Sequence, residues 1–231
     1  MKKLALIATL FVLVLASRVS SGQTAAFNFS PIVGDAMQQG WTGNLASLFN
    51  VAAGNSITIS DLGIFNQSGT GYITGTAEVV LYNVTTGLQV SQIVTFGPTT
   101  QYTAQGYAVY QAITPVILGP GDYAVDAVGF SSTDTNGNNG FSGDPTPTDN
   151  TLGGALSFPT PGSLYDTNTT LDLATISDPH LYEAGNFEIS SLNGVSVPEG
   201  GAAGLYLLLA GGACFGAMFF SRNRFANLAS A

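Results

Sequence analysis

The sequence predicts an all-β exported domain, an antiparallel β-sandwich of jelly-roll type, between an N-terminal signal peptide and a single C-terminal transmembrane helix. Three observations carry this expectation. Thr, Val, Ile, Tyr and Phe recur in short runs punctuated by Gly, Asn and Pro, without long helical periodicity. Long uninterrupted apolar runs occur only near the two ends. No segment repeats at a period of about 20–50 residues, which argues against a solenoid or a propeller.

At the N-terminal end, Lys2 and Lys3 precede the apolar run Leu4–Ala16, and small residues dominate Ser17–Gly22. Charge, apolar core and small-residue exit are the order of a secretory signal cut by signal peptidase. Val19 and Ser21 suit a cut before Gly22, giving a signal over 1–21; a cut after Ala16 is the alternative. The expected sandwich then runs over 22–190. Leu45–Ala52 and Ile57–Phe65 read as its first strong strands, broken at Ala53-Gly54-Asn55. Ala77–Val84 and Leu88–Phe96 read as a hairpin, because Gly87 in Thr85-Thr86-Gly87 can take positive φ. Tyr107–Leu118 is a further strand, with Pro115 marking an edge or a bend.

Gly119-Pro120-Gly121-Asp122 reads as a turn. Beyond it Tyr123, Val125 and Ala127 alternate with Ala124 and Asp126, the pattern of a strand with one wet face. Ser131–Asn150 is rich in Asn, Gly, Thr, Asp and Pro and reads as a long surface loop. Thr151–Phe158 and Asn186–Ser190 read as later strands, and 191–196 as a linker. The tail occupies 197–224. Its uncharged run 201–220 rises about 1.5 Å per residue, enough to span a hydrocarbon core of about 30 Å. Arg222 and Arg224 follow and would stay on the cytoplasmic side.

Charge narrows the function classes. Lys and Arg number 5 against 14 Asp and Glu, and no Lys or Arg lies between Gly22 and Pro198. A polyanion needs basic side chains to displace its counterions, so nucleic acid is excluded as a partner. Divalent cations, by contrast, are attracted to such a domain. The single Cys, Cys214, lies in the terminal apolar run, so the domain folds without disulfides. At about 175 residues it is large enough to do so.

Val197-Pro198-Glu199-Gly200, the helix 201–220 and the basic pair Arg222 and Arg224, taken with the signal, resemble the PEP-CTERM sorting tail. In that family the tail hands exported bacterial proteins to an exosortase. Gly200 stands where the family pattern has a second Pro, and Phe225–Ala231 follows a sparse basic end. The resemblance implies processing near Pro198 and Glu199, with the export machinery, signal peptidase and exosortase as partners. It also implies transient membrane anchorage and then a place at the cell surface or in an exopolysaccharide matrix. Gly40-Trp41, Gly63-Ile64-Phe65, Val80-Leu81-Tyr82, Pro115–Tyr123 and Ala184-Gly185-Asn186-Phe187 are similar to β-sandwich domains of unknown function in PEP-CTERM proteins. That likeness, over Trp41 to Ile189, implies a sandwich and names no catalytic residue.

Other candidate sites are weaker. Asp134-Thr135-Asn136-Gly137-Asn138-Asn139-Gly140 offers oxygen ligands at alternate positions, with Asp144 beyond. Asp134, Asn136, Asn138 and Asp144 are therefore calcium candidates, although Gly137 and Asn139 break the usual loop pattern and no Glu closes it. A solvated turn loop explains the same residues. His180 has no identifiable nucleophile partner, and Gly140-Phe141-Ser142-Gly143-Asp144 misses the hydrolase spacing. Scattered carboxylates leave a glycosidase pair open. Trp41, Tyr72, Tyr82, Tyr102, Tyr107, Tyr110, Tyr123, Tyr165 and Tyr182 could stack on sugars where exposed. Asn-x-Ser/Thr triplets at Asn28, Asn66, Asn83 and Asn168 read as compositional. The expectation is a non-enzymatic surface or matrix protein. The alternatives are a carbohydrate-binding module or adhesin on the same scaffold and, third, a secreted hydrolase.

Overall fold

The computed structural model describes residues 23–29, 38–139, 148–159, 162–179 and 181–196. The signal, Val197, Pro198, Glu199, Gly200, the 201–220 run, Arg222 and Arg224 lie outside the described residues, as do Asp144 and His180. Gln23–Val197 forms one compact unit. Its regular structure is almost wholly β, and every strand pair in it is antiparallel. Among the described residues no helix is long and apolar enough to cross a membrane.

Two large sheets dominate. The six-stranded sheet runs Thr24–Ala25, Gly185–Leu192, Ile57–Phe65, Ala108–Leu118, Thr103–Gln105, and Val195–Ser196 also pairs with Gly185–Leu192. The eight-stranded sheet runs Ile176–Asp178, Ser163–Tyr165, Leu45–Val51, Gly121–Val128, Ala77–Asn83, Leu88–Gln89. Leu156–Ser157 adds to Leu45–Val51 and Val94–Phe96 to Ala77–Asn83. In each sheet the central strands are the β-branched and aromatic runs legible in the sequence, because only they can bury side chains on a pleated face.

The two sheets share one apolar core. Phe49 of the second sheet meets Phe187 of the first with ring centroids 4.6 Å apart, and Tyr123 stacks on Phe49 at 5.6 Å. Phe187, Phe49, Ile59, Leu62, Ile64, Leu81 and Leu45 are all buried in it. Gly185 sets how closely the sheets approach: a Cβ there would lie 2.9 Å from Val125 Cγ2. Phe27 and Phe29 from the N-terminal segment extend the same core, Phe27 against Phe187 and Phe29 against Phe65. Asn186 fixes that segment, accepting from the Phe27 N–H and donating to its carbonyl.

Several elements differ from expectation. The expected strand Leu88–Phe96 is two, Leu88–Gln89 and Val94–Phe96, both pairing with Ala77–Asn83. Between them Ser91 Oγ accepts the Leu81 N–H at 3.0 Å, so a side chain replaces a ladder carbonyl there. Ala108–Leu118 is continuous but its register shifts between Ala112 and Val116, the stretch that holds Pro115. Ser131–Asn150 is not one loop. Asn136–Asn139 is a strand between Leu181–Glu183 and Gln38–Gln39, and Thr148–Asp149 pairs with Phe27–Asn28. Thr151–Phe158 is mainly a 3₁₀ turn over Leu152–Gly154 with the short strand Leu156–Ser157 after it. The segment read as a linker, 191–196, is the final hairpin: Val195–Ser196 folds back on Ser191 and Leu192 through Asn193-Gly194.

Phe187 is the side chain both sheets share, so Phe187→Ala is expected to lower unfolding free energy by about 3–5 kcal/mol. Chemical denaturation measures this; a loss under about 1 kcal/mol would contradict the packing described.

Candidate functional site

The densest polar constellation lies on the outer face of the eight-stranded sheet. Asn44, Ala46 and Leu48 alternate on that face, beside Ala124 and Asp126 of the neighbouring strand. The chain after Tyr165 crosses this face. Ala174 packs on Ala46 and Ala124, with Leu173, Leu164 and Leu48 around them. An apolar patch that an antiparallel sheet would otherwise leave to water therefore has its own cover.

Asn44 anchors the crossing segment Asp166-Thr167-Asn168-Thr169-Thr170-Leu171-Asp172. The residue is fully buried, and its Nδ2 lies 3.2 Å from Asp166 Oδ1, 3.2 Å from the Asn168 carbonyl oxygen, 2.9 Å from the Thr170 carbonyl oxygen and 2.8 Å from Asp172 Oδ1. A carboxamide nitrogen has two protons, so four acceptors outnumber what it can donate. Asn44 Oδ1 is buried with no hydrogen-bond partner. The Asn168 N–H donates to Asp166 Oδ1 at 2.9 Å, and Asn168 Nδ2 donates to Asp172 Oδ2 at 2.7 Å. Trp41 holds the start of the segment: its Nε1 donates to the Asp166 carbonyl at 3.0 Å and its ring meets Tyr165 edge-on. Asp166 is buried, whereas Thr167–Thr170 and Asp172 are exposed, so the oxygen ring opens to solvent on the segment's side.

Asp126 lies beside this ring. It is fully buried; its Oδ2 accepts the Ala174 N–H at 3.1 Å, and its Oδ1 has no hydrogen-bond partner. Burial raises its pKa well above the carboxylate range, and the charges of Asp166 and Asp172 raise it further, against the N–H groups of Ala174 and Ala127. The Tyr82 hydroxyl is raised by burial, then by Asp126 and Asp172. Acidic groups are thus gathered in a domain without Lys or Arg, and their like charges oppose one another.

A second acidic pair sits on the six-stranded sheet, where Glu188 and Asp61 are cross-strand partners. Glu188 is 3 % exposed and Asp61 8 %. Gln23 covers Asp61, its Nε2 donating to Asp61 Oδ2 and Ser60 Oγ. Burial first, then the Asp61 charge, pushes Glu188 up to about 7. Glycoside hydrolysis needs a sugar between two carboxyl groups, and a pair so covered gives it no access. Close by, Thr95, Thr100, Gln101, Tyr102, Thr103, Tyr110, Gln111 and Ala112 line an open groove of ≈ 470 Å³.

Of the calcium candidates of the sequence, Asp134, Asn136 and Asn138 lie among the described residues and Asp144 does not. Asp134 accepts the Thr74 and Gly75 N–H groups, tying down a neighbouring turn. Asn136 is buried on a strand, its Oδ1 accepting the Trp41 N–H and its Nδ2 donating to the Gly137 carbonyl. Asn138 is buried two residues along the same strand. Alternate Asn residues suit a strand face as well as a turn, and Asn136 and Asn138 lie on a strand. Of the nine aromatic residues named for sugar stacking, only Tyr72 is exposed; Trp41, Tyr107 and Tyr165 are half-buried and the rest buried. Among the described residues no three His, Cys, Asp or Glu side chains are grouped to hold a metal ion.

The oxygen ring around Asn44 carries the same alternating signal one segment later: Asp166, Asn168, Thr170 and Asp172. In the sequence Asn168 reads only as the start of an Asn-x-Thr triplet. Asn44, more than a hundred residues away in the chain, has no local pattern to mark it.

Compared with known proteins, the chain matches no family model and no curated sequence.

Two outcomes follow from this geometry. A Cβ on Gly43 would lie 2.1 Å from the Asp166 carbonyl oxygen, so Gly43→Ala must displace the crossing segment. A loss of about 1–3 kcal/mol is expected, read by thermal denaturation; unchanged stability would contradict the contact. For Glu188 the folded value of about 7 lies above the ordinary 4.5. The folded state therefore holds a proton that the unfolded state gives up, and stability falls as pH rises between those values. Glu188→Gln should flatten that part of the denaturation-versus-pH curve, leaving the contribution of Asp126, which has the same sign.

Proposed function

We propose that the protein is an exported, non-enzymatic component of the cell surface or of an exopolysaccharide matrix. Its antiparallel β-sandwich, jelly-roll-like, would be held outside the membrane by the 201–220 run and handed to an exosortase through Val197-Pro198-Glu199-Gly200. The observation that supports this reading is the extent of the compact unit, Gln23–Val197. Among the described residues its first strand begins at Thr24 and its last ends at Ser196. The two expected processing points, before Gly22 and near Pro198 and Glu199, lie at the edges of that unit. The first and last strands also pair with one strand, Gly185–Leu192, so the two ends leave from the same region of the domain. A processing enzyme acting near Pro198 and Glu199 would meet a chain made extended by Pro, beside a closed hairpin.

A second reading, a carbohydrate-binding module or adhesin, draws on the groove beside Tyr102 and Tyr110. Its lining of hydroxyl and carboxamide groups offers donors and acceptors of the kind sugars use. The rings beside it are buried, so stacking would have to come from elsewhere.

Intact mass of the protein recovered from its native cells tests the first reading. The expected product begins between Ser17 and Ala26 and ends near Glu199. A mature species that keeps Arg222 and Arg224 would contradict sorting and leave a simple anchored protein.

A further inference from the structure

We infer that Asn44, Asp166, Asn168, Thr170 and Asp172 form a calcium site on the outer face of the eight-stranded sheet. The first ground is convergence. Two carboxylate oxygens and two main-chain carbonyl oxygens stand within 2.8–3.2 Å of a single point, the Asn44 nitrogen. Oxygens rarely gather so closely around one donor, because each repels the others. The second ground is the fully buried Asn44 side chain itself. It points into the ring, yet its Oδ1 has no partner and its Nδ2 faces twice the acceptors it can serve. Turning the carboxamide by half a turn about χ2 exchanges the two atoms. Oδ1 then joins the ring as a fifth oxygen, and a cation takes the place of the two protons.

Ion chemistry selects the metal. Calcium takes six to eight oxygens at about 2.3–2.6 Å and accepts backbone carbonyls readily. With Oδ1 in the nitrogen's former place, the ion would sit about 2.3–2.6 Å from it on the side of the four oxygens, and water from the exposed side of Thr167–Thr170 would complete the shell. Magnesium would need a tighter octahedron near about 2.1 Å and resists losing water. Zinc favours His and Cys, and neither stands in the ring. The ligands are two carboxylates, two carbonyls and a carboxamide, an all-oxygen set without His or Cys. Ion binding would also offset the like charges of Asp166 and Asp172. Nothing in the domain competes for the ion, since no Lys or Arg lies between Gly22 and Pro198.

The inference stands apart from the export reading, since the mass of the processed product has no bearing on it. Trp41, the only Trp in the chain, touches the site through Asp166, which makes terbium a local probe. The full chain, purified in detergent and stripped with chelator, is titrated with terbium and then with calcium, exciting Trp. Sensitised emission should appear and be displaced by calcium. Melting temperature should rise by roughly 5–10 °C at calcium about 100-fold above the dissociation constant. Magnesium at equal ionic strength should give a smaller rise. Asp172→Asn changes an exposed side chain, so the fold survives, and should weaken calcium at least about tenfold. Asp166→Asn should do the same, while Asp134→Asn should leave binding intact. No calcium-linked rise in the parent chain, an equal rise in Asp172→Asn and Asp166→Asn, or loss of the rise in Asp134→Asn would each overturn the site.

Discussion

The rest of the structure depends on one constraint: a domain with forty buried apolar side chains among its described residues also buries carboxylates, and no Lys or Arg lies between Gly22 and Pro198 to pair with them. Asp61, Asp126, Asp166, Glu183 and Glu188 are all buried. In most domains a guanidinium or an ammonium would share such places. Here the same work falls to other groups. Asp61 takes the Gln23 amide, Asp126 takes main-chain N–H groups, and Asp166 takes an Asx-type bond from Asn168 together with Asn44. Glu188 is held partly as the neutral acid at physiological pH. Protonation and amide donors are the two internal remedies. The oxygen ring around Asn44 is where they fall short, and there an ion from outside is the third.

The same constraint bears on the proposed export. A domain that depends on outside cations and on no disulfide suits an environment rich in divalent ions, and it tolerates oxidation. Its acidic surface also keeps it apart from polyanions. These properties fit an exported surface protein and are at odds with a nucleic-acid partner.

Much of the fold was legible in the sequence where periodicity and turns agree. Ile57–Phe65 matches its expected bounds, and the strand after Gly119-Pro120 begins one residue beyond that turn's Pro, at Gly121. What failed to read were segments whose polarity hides burial. Asn136–Asn139 looks like loop because Asn and Gly favour turns, yet Asn136 makes its hydrogen bonds inside the structure. Ser191–Ser196 looks like a linker because it is small and polar, yet a hairpin needs only one good turn, and Asn193-Gly194 supplies it at positive φ. The candidate site was half legible. Its 166–172 arm carries alternate oxygen residues in plain view. Its other half, Asn44, is one buried amide whose role comes only from the fold that brings two distant segments together.

A crystal structure of the protein grown with calcium decides whether the oxygen ring holds an ion. A strong spherical peak is expected among Asn44, Asp166, Asn168, Thr170 and Asp172, with oxygen distances of about 2.3–2.6 Å and Asn44 Oδ1 turned toward it. An Asn44 nitrogen still at the centre of the ring, with no ion beside it at saturating calcium, would rule the site out.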